Sequence, residues 1–250
     1  MKPIKLWTAI ATLASVFLLS CGSGNSEKKS EEKTSDTTST NPTTTTQENK
    51  PDASTASKLT NLVVVRHKVA SYAKWKMGYD AHDSARAANG LSNYIIARGI
   101  PDSNTVFVMM KAADMVKAKE FASSEDLKNT MQKAGVVGMP TVSYINVVWN
   151  DASKIDQTQR LMVTHKVKDW DEWKKAFDEG KQARIDAGLI DRGVGYTSGD
   201  SHNVMVVFAI TDMAKAKAFV ASKDLKDKMA KAGVDGPPSF FYYNIVQMTP

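Results

Sequence analysis

The sequence predicts an α+β protein: two ferredoxin-like β-α-β-β-α-β modules in tandem, their sheets packed face to face as an intramolecular α+β barrel pseudo-dimer. Three observations predict it. First, residues 63–148 and 161–246, laid over each other at an offset of 98 with no gap, match at about 35 of 86 positions. Self-similarity of that length marks one structural unit carried twice. Second, each copy alternates strand-like and helix-like segments in the order of the split β-α-β unit. Third, the opening strand is apolar at both parities, with Val63, Val65 and Val69 on one face and Leu62 and Val64 on the other. Two helices cover one face of a four-stranded sheet, so an apolar second face needs a second cover, and the other copy offers one.

The elements follow in order. Residues 62–69 are Val-rich and read as a strand. Tyr72, Trp75, Tyr79, His82 and Arg86 then fall at helical spacing, echoed by Trp170, Trp173, Phe177, Gly180 and Arg184. Gly90 and Gly188 end those helices, where a left-handed residue is easiest for glycine. Residues 93–97 and 194–196 read as short second strands, and 106–110 and 204–210 as third strands. Asp114 and Asp212 stand where an N-cap belongs. The helix after each runs to an Ala-Gly pair at 134–135 and 232–233 and breaks near Ser124 and Ser222, with Asp126 and Asp224 placed to restart it. Pro140 and Pro238 hold the next segment out of helix, and 142–149 and 240–247 form the last strands. The modules span 59–149 and 160–250, joined by a polar linker at 150–159.

The first 58 residues have another character. Lys2 and Lys5 precede an apolar run from 6 to 19, as long as a signal-peptide core and short for a bilayer span. Cys21, the single cysteine, follows Leu18-Leu19-Ser20 and excludes any intramolecular disulfide. That sequence resembles the lipobox of bacterial lipoproteins. The resemblance implies cleavage after residue 20 and a lipid (diacylglycerol, palmitate) on Cys21, with the membrane as partner. Gly22 rather than Asp after the cysteine favours the outer membrane of the cell envelope over the inner. An ordinary cleaved signal, or an uncleaved anchor with an incidental cysteine, is the alternative. Residues 22–58 hold no Leu, Ile, Val, Met or aromatic residue. They cannot bury enough apolar area to fold and read as a tether reaching about 35 Å.

The formal charge of +6 drops to +4 once Lys2 and Lys5 are removed with the signal, and the charges interleave with acids. A nucleic-acid surface would cluster them, so nucleic acid is excluded as a partner. With the barrel completed inside one chain, a monomer is expected.

Several motifs recur in both copies: His-Lys-Val, an aromatic, Trp-Lys, Arg, Gly-Leu, then Phe-x-x-Ser-x-Asp-Leu-Lys and Ala-Gly-Val-x-Gly-x-Pro. In these the chain resembles the dimeric α+β barrel domains related to antibiotic biosynthesis monooxygenases, most closely a cyclase-like bacterial branch. The resemblance spans 62–149 and 160–248. It implies a cavity lined by the sheet and the first helix, and leaves the activity open, because such scaffolds carry many chemistries.

Candidate site residues recur in both copies. His67 and His165 place a titratable ring in an apolar strand row, as a proton-transfer or hydrogen-bonding group in a pocket or as a core histidine. Trp75 and Trp173 read as core of the first helix or as a stacking platform. Arg86 and Arg184 read as anion anchors or as cations at a helix C-terminus. Tyr144 with Asn146, and Tyr242 with Asn244, share one face of the last strand; each Asn could polarise a ligand carbonyl or pair groups where the sheets meet. Metal-ligand spacing is lacking, and neither a catalytic triad order nor a phosphate, dinucleotide or haem motif occurs, so no metal or cofactor is implied. Three functions fit. In order, these are a tethered module binding a small, partly apolar molecule, a structural envelope protein with a filled barrel, and a cofactor-independent monooxygenase or isomerase/cyclase. The enzyme would use His67 or His165 for proton transfer and Asn146 or Asn244 on an enolate-like oxygen.

Overall fold

The computed structural model describes residues 61–249; the signal, Cys21 and the tether lie outside the described residues. Module 1 runs β1 (Asn61–Val69), α1 (Tyr72–Ala81), α2 (Asp83–Ala88), β2 (Leu91–Gly99), β3 (Thr105–Ala112), α3 (Met115–Ala122), α4 (Glu125–Lys133) and β4 (Val136–Asn150). Module 2 repeats it as β5 (Gln159–Val167), α5 (Trp170–Glu179), α6 (Lys181–Asp186), β6 (Leu189–Thr197), β7 (Asp200–Ile210), α7 (Met213–Ala221), α8 (Lys223–Lys231) and β8 (Val234–Met248).

Each module forms an antiparallel sheet, ordered β4-β1-β3-β2 and β8-β5-β7-β6. The sheets do more than face each other. β2 pairs with β8, from Ile95 opposite Met248 to Gly99 opposite Tyr243. β4 pairs with β6, from Ile145 opposite Thr197 to Asn150 opposite Gly193. The two seams close one eight-stranded barrel and leave no free sheet edge. Leu62, Val64, Phe107, Met109, Ile145, Met162, Met205 and Tyr243 meet inside it. The other face of each sheet packs under its own helices, around Val63, Trp75 and Val108 in module 1 and Leu161, Trp173 and Val206 in module 2.

Several local details depart from what the sequence predicts: the second strands are longer than expected, at 91–99 and 189–197, and β7 begins at Asp200 rather than 204. The first helix of each module is broken in two, because Arg86 donates to the carbonyl of Tyr79 at 2.6 Å and Arg184 to that of Phe177. Those carbonyls are taken from the helical ladder, which is a known cause of kinks. The last strands begin at 136 and 234, six residues earlier than expected. Pro140 and Pro238 are tolerated there because each lies in a bulge: the register slips between Arg66 and Lys68 on β1 and between Thr164 and Lys166 on β5. His67 and His165 stand at those slips, without a partner on β4 or β8, while on the other side they face Val106 and Val204. The second helical break is as read, but Ser124 and Ser222 cap the resumed helices rather than the aspartates, accepting from Leu127 N at 3.2 Å and Leu225 N at 3.1 Å. Asp114 and Asp212 cap α3 and α7.

The segment between modules is held. Arg192, buried on β6, donates to Asp151 at 2.9 Å and to Ser153, while Arg160 reaches the carbonyls of Gln157 and Gln159.

Gly195 shows how tight the β4–β6 seam is. A Cβ there would meet the Asn146 carbonyl oxygen at 2.5 Å and Ile145 Cγ2 at 2.9 Å, whereas one at Gly193 meets nothing nearer than 3.8 Å. Gly195→Ala should therefore destabilise the fold by about 1–3 kcal/mol through overpacking, and Gly193→Ala far less, as read by urea unfolding of both variants. Equal stabilities would contradict the seam.

Candidate functional site

The strand parity of β1 and β5 sends His67 and His165 to the helix side of the sheet, not into the barrel. Each ring sits against the tryptophan of its own helix, His67 with Trp75 at 5.6 Å and His165 with Trp173 at 5.3 Å between centroids. They are 7% and 8% exposed. Neither nitrogen of either ring finds a hydrogen-bond partner among the described residues. Burial without compensation disfavours the imidazolium and pushes both pKa values down to about 4. Both rings are therefore neutral at pH 7, one nitrogen donating and one accepting.

The tryptophans are fixed by their neighbours. Trp75 stacks on Tyr79 at 5.0 Å and Trp173 on Phe177 at 5.2 Å. The arginines are engaged by carboxylates and rings, although Arg86 Nε finds no partner among the described residues. The Arg184 guanidinium pairs with both carboxylate oxygens of Asp191 at 2.8 and 2.7 Å and lies 3.8 Å over Phe177. Arg86 pairs with Asp83 at 2.9 Å and lies 3.6 Å over Tyr79. Asn146 donates to Asn61 at 2.9 Å, and Asn244 accepts from Thr158 at 2.8 Å. Tyr144 and Tyr242 pack at the edges of the two helix-side cores, and the Tyr242 hydroxyl is unpartnered among the described residues. Of the module 2 candidates, the structure brings His165, Trp173 and Arg184 to one cavity and leaves Tyr242 and Asn244 outside it.

That cavity, about 490 Å³, lies between the β5–β7 face and the helices of module 2. Its walls are apolar: Leu161, Val163, Val206, Phe208 and Phe240 from the sheet, Trp173, Phe177, Phe219 and Met229 from the helices. Glu172, Glu179, Lys228 and Lys231 line its rim, two acids against two bases.

Two substitutions between the copies explain why this space is open. In module 1, Gly78 lets α1 settle on Ala134 so closely that a Cβ would come within 2.8 Å of the alanine methyl. Ala176 and Ala232 hold the corresponding positions in module 2. In module 1, His82 also crosses the gap: its Nε2 lies 3.0 Å from Asp126 on α4, and its ring stacks on Phe121 at 5.8 Å. Gly180 takes that place in module 2, and Asp224 turns to Lys228 instead, at 2.8 Å. The candidate site residues are positions that both copies share; these gatekeepers are positions where the copies differ.

Among the described residues no group of three or more His, Cys, Asp or Glu is placed to hold a metal ion. The arrangement can enclose a mostly apolar molecule and offer it one neutral imidazole, as hydrogen-bond partner or proton acceptor.

No protein-family model matches the chain, and no curated protein does either. Solved structures do. A proposed monooxygenase from Fusobacterium nucleatum is 13% identical with a TM-score of 0.50, over 76% of this chain and 94% of that one. A second, from Lactobacillus acidophilus, is 8% identical at 0.49, over 76% and 95%. A ferredoxin-fold protein related to antibiotic biosynthesis monooxygenases, from Listeria monocytogenes, is 10% identical at 0.41, over 76% and 96%. The first likeness is one of fold alone, and the fold it shares is the ferredoxin-like α+β architecture described above.

The two imidazoles make stability depend on pH. Each binds its proton near pH 4 when folded and near 6.5 when unfolded, so acid favours the unfolded chain. The stability is full above about pH 6.5, falls as pH drops, and levels off below about 4, by roughly 3 kcal/mol per histidine. His67→Leu with His165→Leu should flatten that fall in urea unfolding between pH 7 and 4. A double variant as acid-sensitive as the parent would contradict the burial of neutral rings.

Proposed function

We propose that this chain is a lipoprotein of the bacterial cell envelope, held to the membrane by acylated Cys21, whose second module binds a small, partly apolar molecule. The observation that carries the binding reading is the cavity of module 2. Its volume lies in the range of small-molecule sites, its walls are apolar and aromatic, and one buried polar group, His165, is unsatisfied within it. An unpaired buried polar group costs stability unless something completes it. A ligand with a hydroxyl, carbonyl or amide at one end of an apolar body would complete it. The balanced rim does not select for ligand charge, and the Arg184 guanidinium is already neutralised by Asp191. The anchor reading rests on the sequence: the basic start, the apolar run, Leu-Leu-Ser-Cys and the polar tether. One chain closes the barrel, so the protein acts as a monomer.

A second reading keeps the same cavity and adds chemistry: a cofactor-independent oxygenase or isomerase in which His165 takes a proton from the bound molecule. The neutral, unpartnered imidazole favours it, and Asn244 has no part in it.

Denaturing the purified, detergent-extracted protein and analysing the released small molecules by mass spectrometry should yield a compound at near one equivalent. Gly180→His, which puts back the side chain that crosses the gap in module 1, should reduce its recovery at least tenfold and leave the melting temperature within a few degrees. A compound recovered equally from that variant would place binding elsewhere. Mass spectrometry of the intact protein should also show an added diacylglycerol mass that Cys21→Ala abolishes.

A further inference from the structure

The tandem arrangement gives the barrel two ends that the 98-residue offset makes equivalent, yet they are built differently. At one end Phe107, Phe241 and Tyr243 interlock, with centroids 4.7–5.6 Å apart, and the Arg66 guanidinium lies 5.1 Å over Phe241. That end is filled. At the other end the counterparts of Phe107, Phe241, Tyr243 and Arg66 are Met205, Ser143, Ile145 and Thr164. Every one is smaller, and a cavity of about 560 Å³ opens there. It is separate from the helix-side cavity: it lies inside the barrel, and His165, at the bulge between β5 and β8, borders both.

An eight-stranded barrel has an interior that side chains can just fill or that can hold one small molecule. Here the same chain fills one end with side chains and leaves the other open. The chemistry of the open end is also distinct. Ser143, Thr164, Thr197, Ser239 and Asn203 supply hydroxyl and amide groups, over a floor of Val64, Ile145, Met162 and Met205. Methionine thioethers adapt to irregular apolar surfaces. The charged side chains at the rim, Lys166 and Asp235, stand opposite each other in the β5–β8 register and offset one another.

We infer that this barrel mouth is a second binding site, for an uncharged small molecule that carries hydroxyl or amide groups along one edge and an apolar face on the other. Neutral donors and acceptors match neutral polar groups, and the one lysine and one aspartate at the rim leave the mouth without net charge. The filled end shows that folding does not require the opening.

The test uses the full chain in detergent with ¹³C-methyl methionine and follows Met162 and Met205 by NMR. N-acetylglucosamine, maltose and uridine are the neutral probes and glucuronate the anionic control. At least one neutral probe should shift both methyl signals saturably, with glucuronate at least tenfold weaker. Ser143→Phe with Thr164→Arg, which copies the filled end, should abolish the shift, and Ser143→Phe alone should weaken it at least tenfold if the double variant does not fold. Gly180→His, which blocks only the helix-side cavity, should leave it unchanged. No saturable shift with any of the three neutral probes, or a shift that survives Ser143→Phe in a folded protein, would overturn the assignment, and loss of the shift in Gly180→His would assign it to the helix-side cavity.

Discussion

Two inter-module hydrogen-bond ladders, β2 on β8 and β4 on β6, are the constraint from which the rest of the structure follows. A lone β-α-β-β-α-β module has two unpaired edge strands and one bare apolar face, both costly in water. Joining two modules edge to edge removes both problems at once. The edges become seams, and the bare faces become the inside of a barrel where Phe107, Ile145, Met162 and Tyr243 are buried together. The close approach at Gly195 and the buried Arg160 and Arg192, which hold the connecting segment, are local consequences of that closure.

Closure also frees the outer layers to diverge. The sheet is fixed by its own ladders, so helices can sit closer or farther without loss of the frame. Module 1 takes the close arrangement, through Gly78 against Ala134 and His82 against Asp126 and Phe121. Module 2 takes the open one, through Ala176 and Gly180. The barrel ends diverge in the same manner, with an aromatic plug in one and hydroxyl-bearing side chains in the other. In both cases a pair of equivalent positions carries one filled and one open solution, and the bulky member is the one that crosses the space.

Much of the architecture was legible in the sequence, because repeats, strand parity and caps are local or periodic signals. The 98-residue offset, the apolar rows of β1 and β5, and Asp114 and Asp212 at helix starts are of that kind. Other features were not legible because they are set by contacts between distant positions. Arg86 and Arg184 break their helices by taking carbonyls seven residues back, which spacing alone does not reveal. Of the six extra residues of β4 and β8, three pair with β1 or β5, and the other three, Pro140 and Pro238 among them, are taken up by the bulges opposite His67 and His165. Asn146 and Asn244 share a strand face with a tyrosine, yet their partners, Asn61 and Thr158, lie more than eighty residues away. The opening of module 2 depends on what is absent at Gly180. Comparing the copies for differences, rather than for matches, would have pointed to that position.

Native-state hydrogen exchange tests the closed barrel most directly. The amides that pair across the two seams, on β2 and β8 from Ala97 to Gly99 and on β4 and β6 near Val147 and Gly195, should be protected as strongly as those of the central β1–β3 and β5–β7 pairs, and should open with them in one global step. Seam amides that exchange at the rates of free edge strands, while the central pairs remain protected, would show two independent modules and contradict the account.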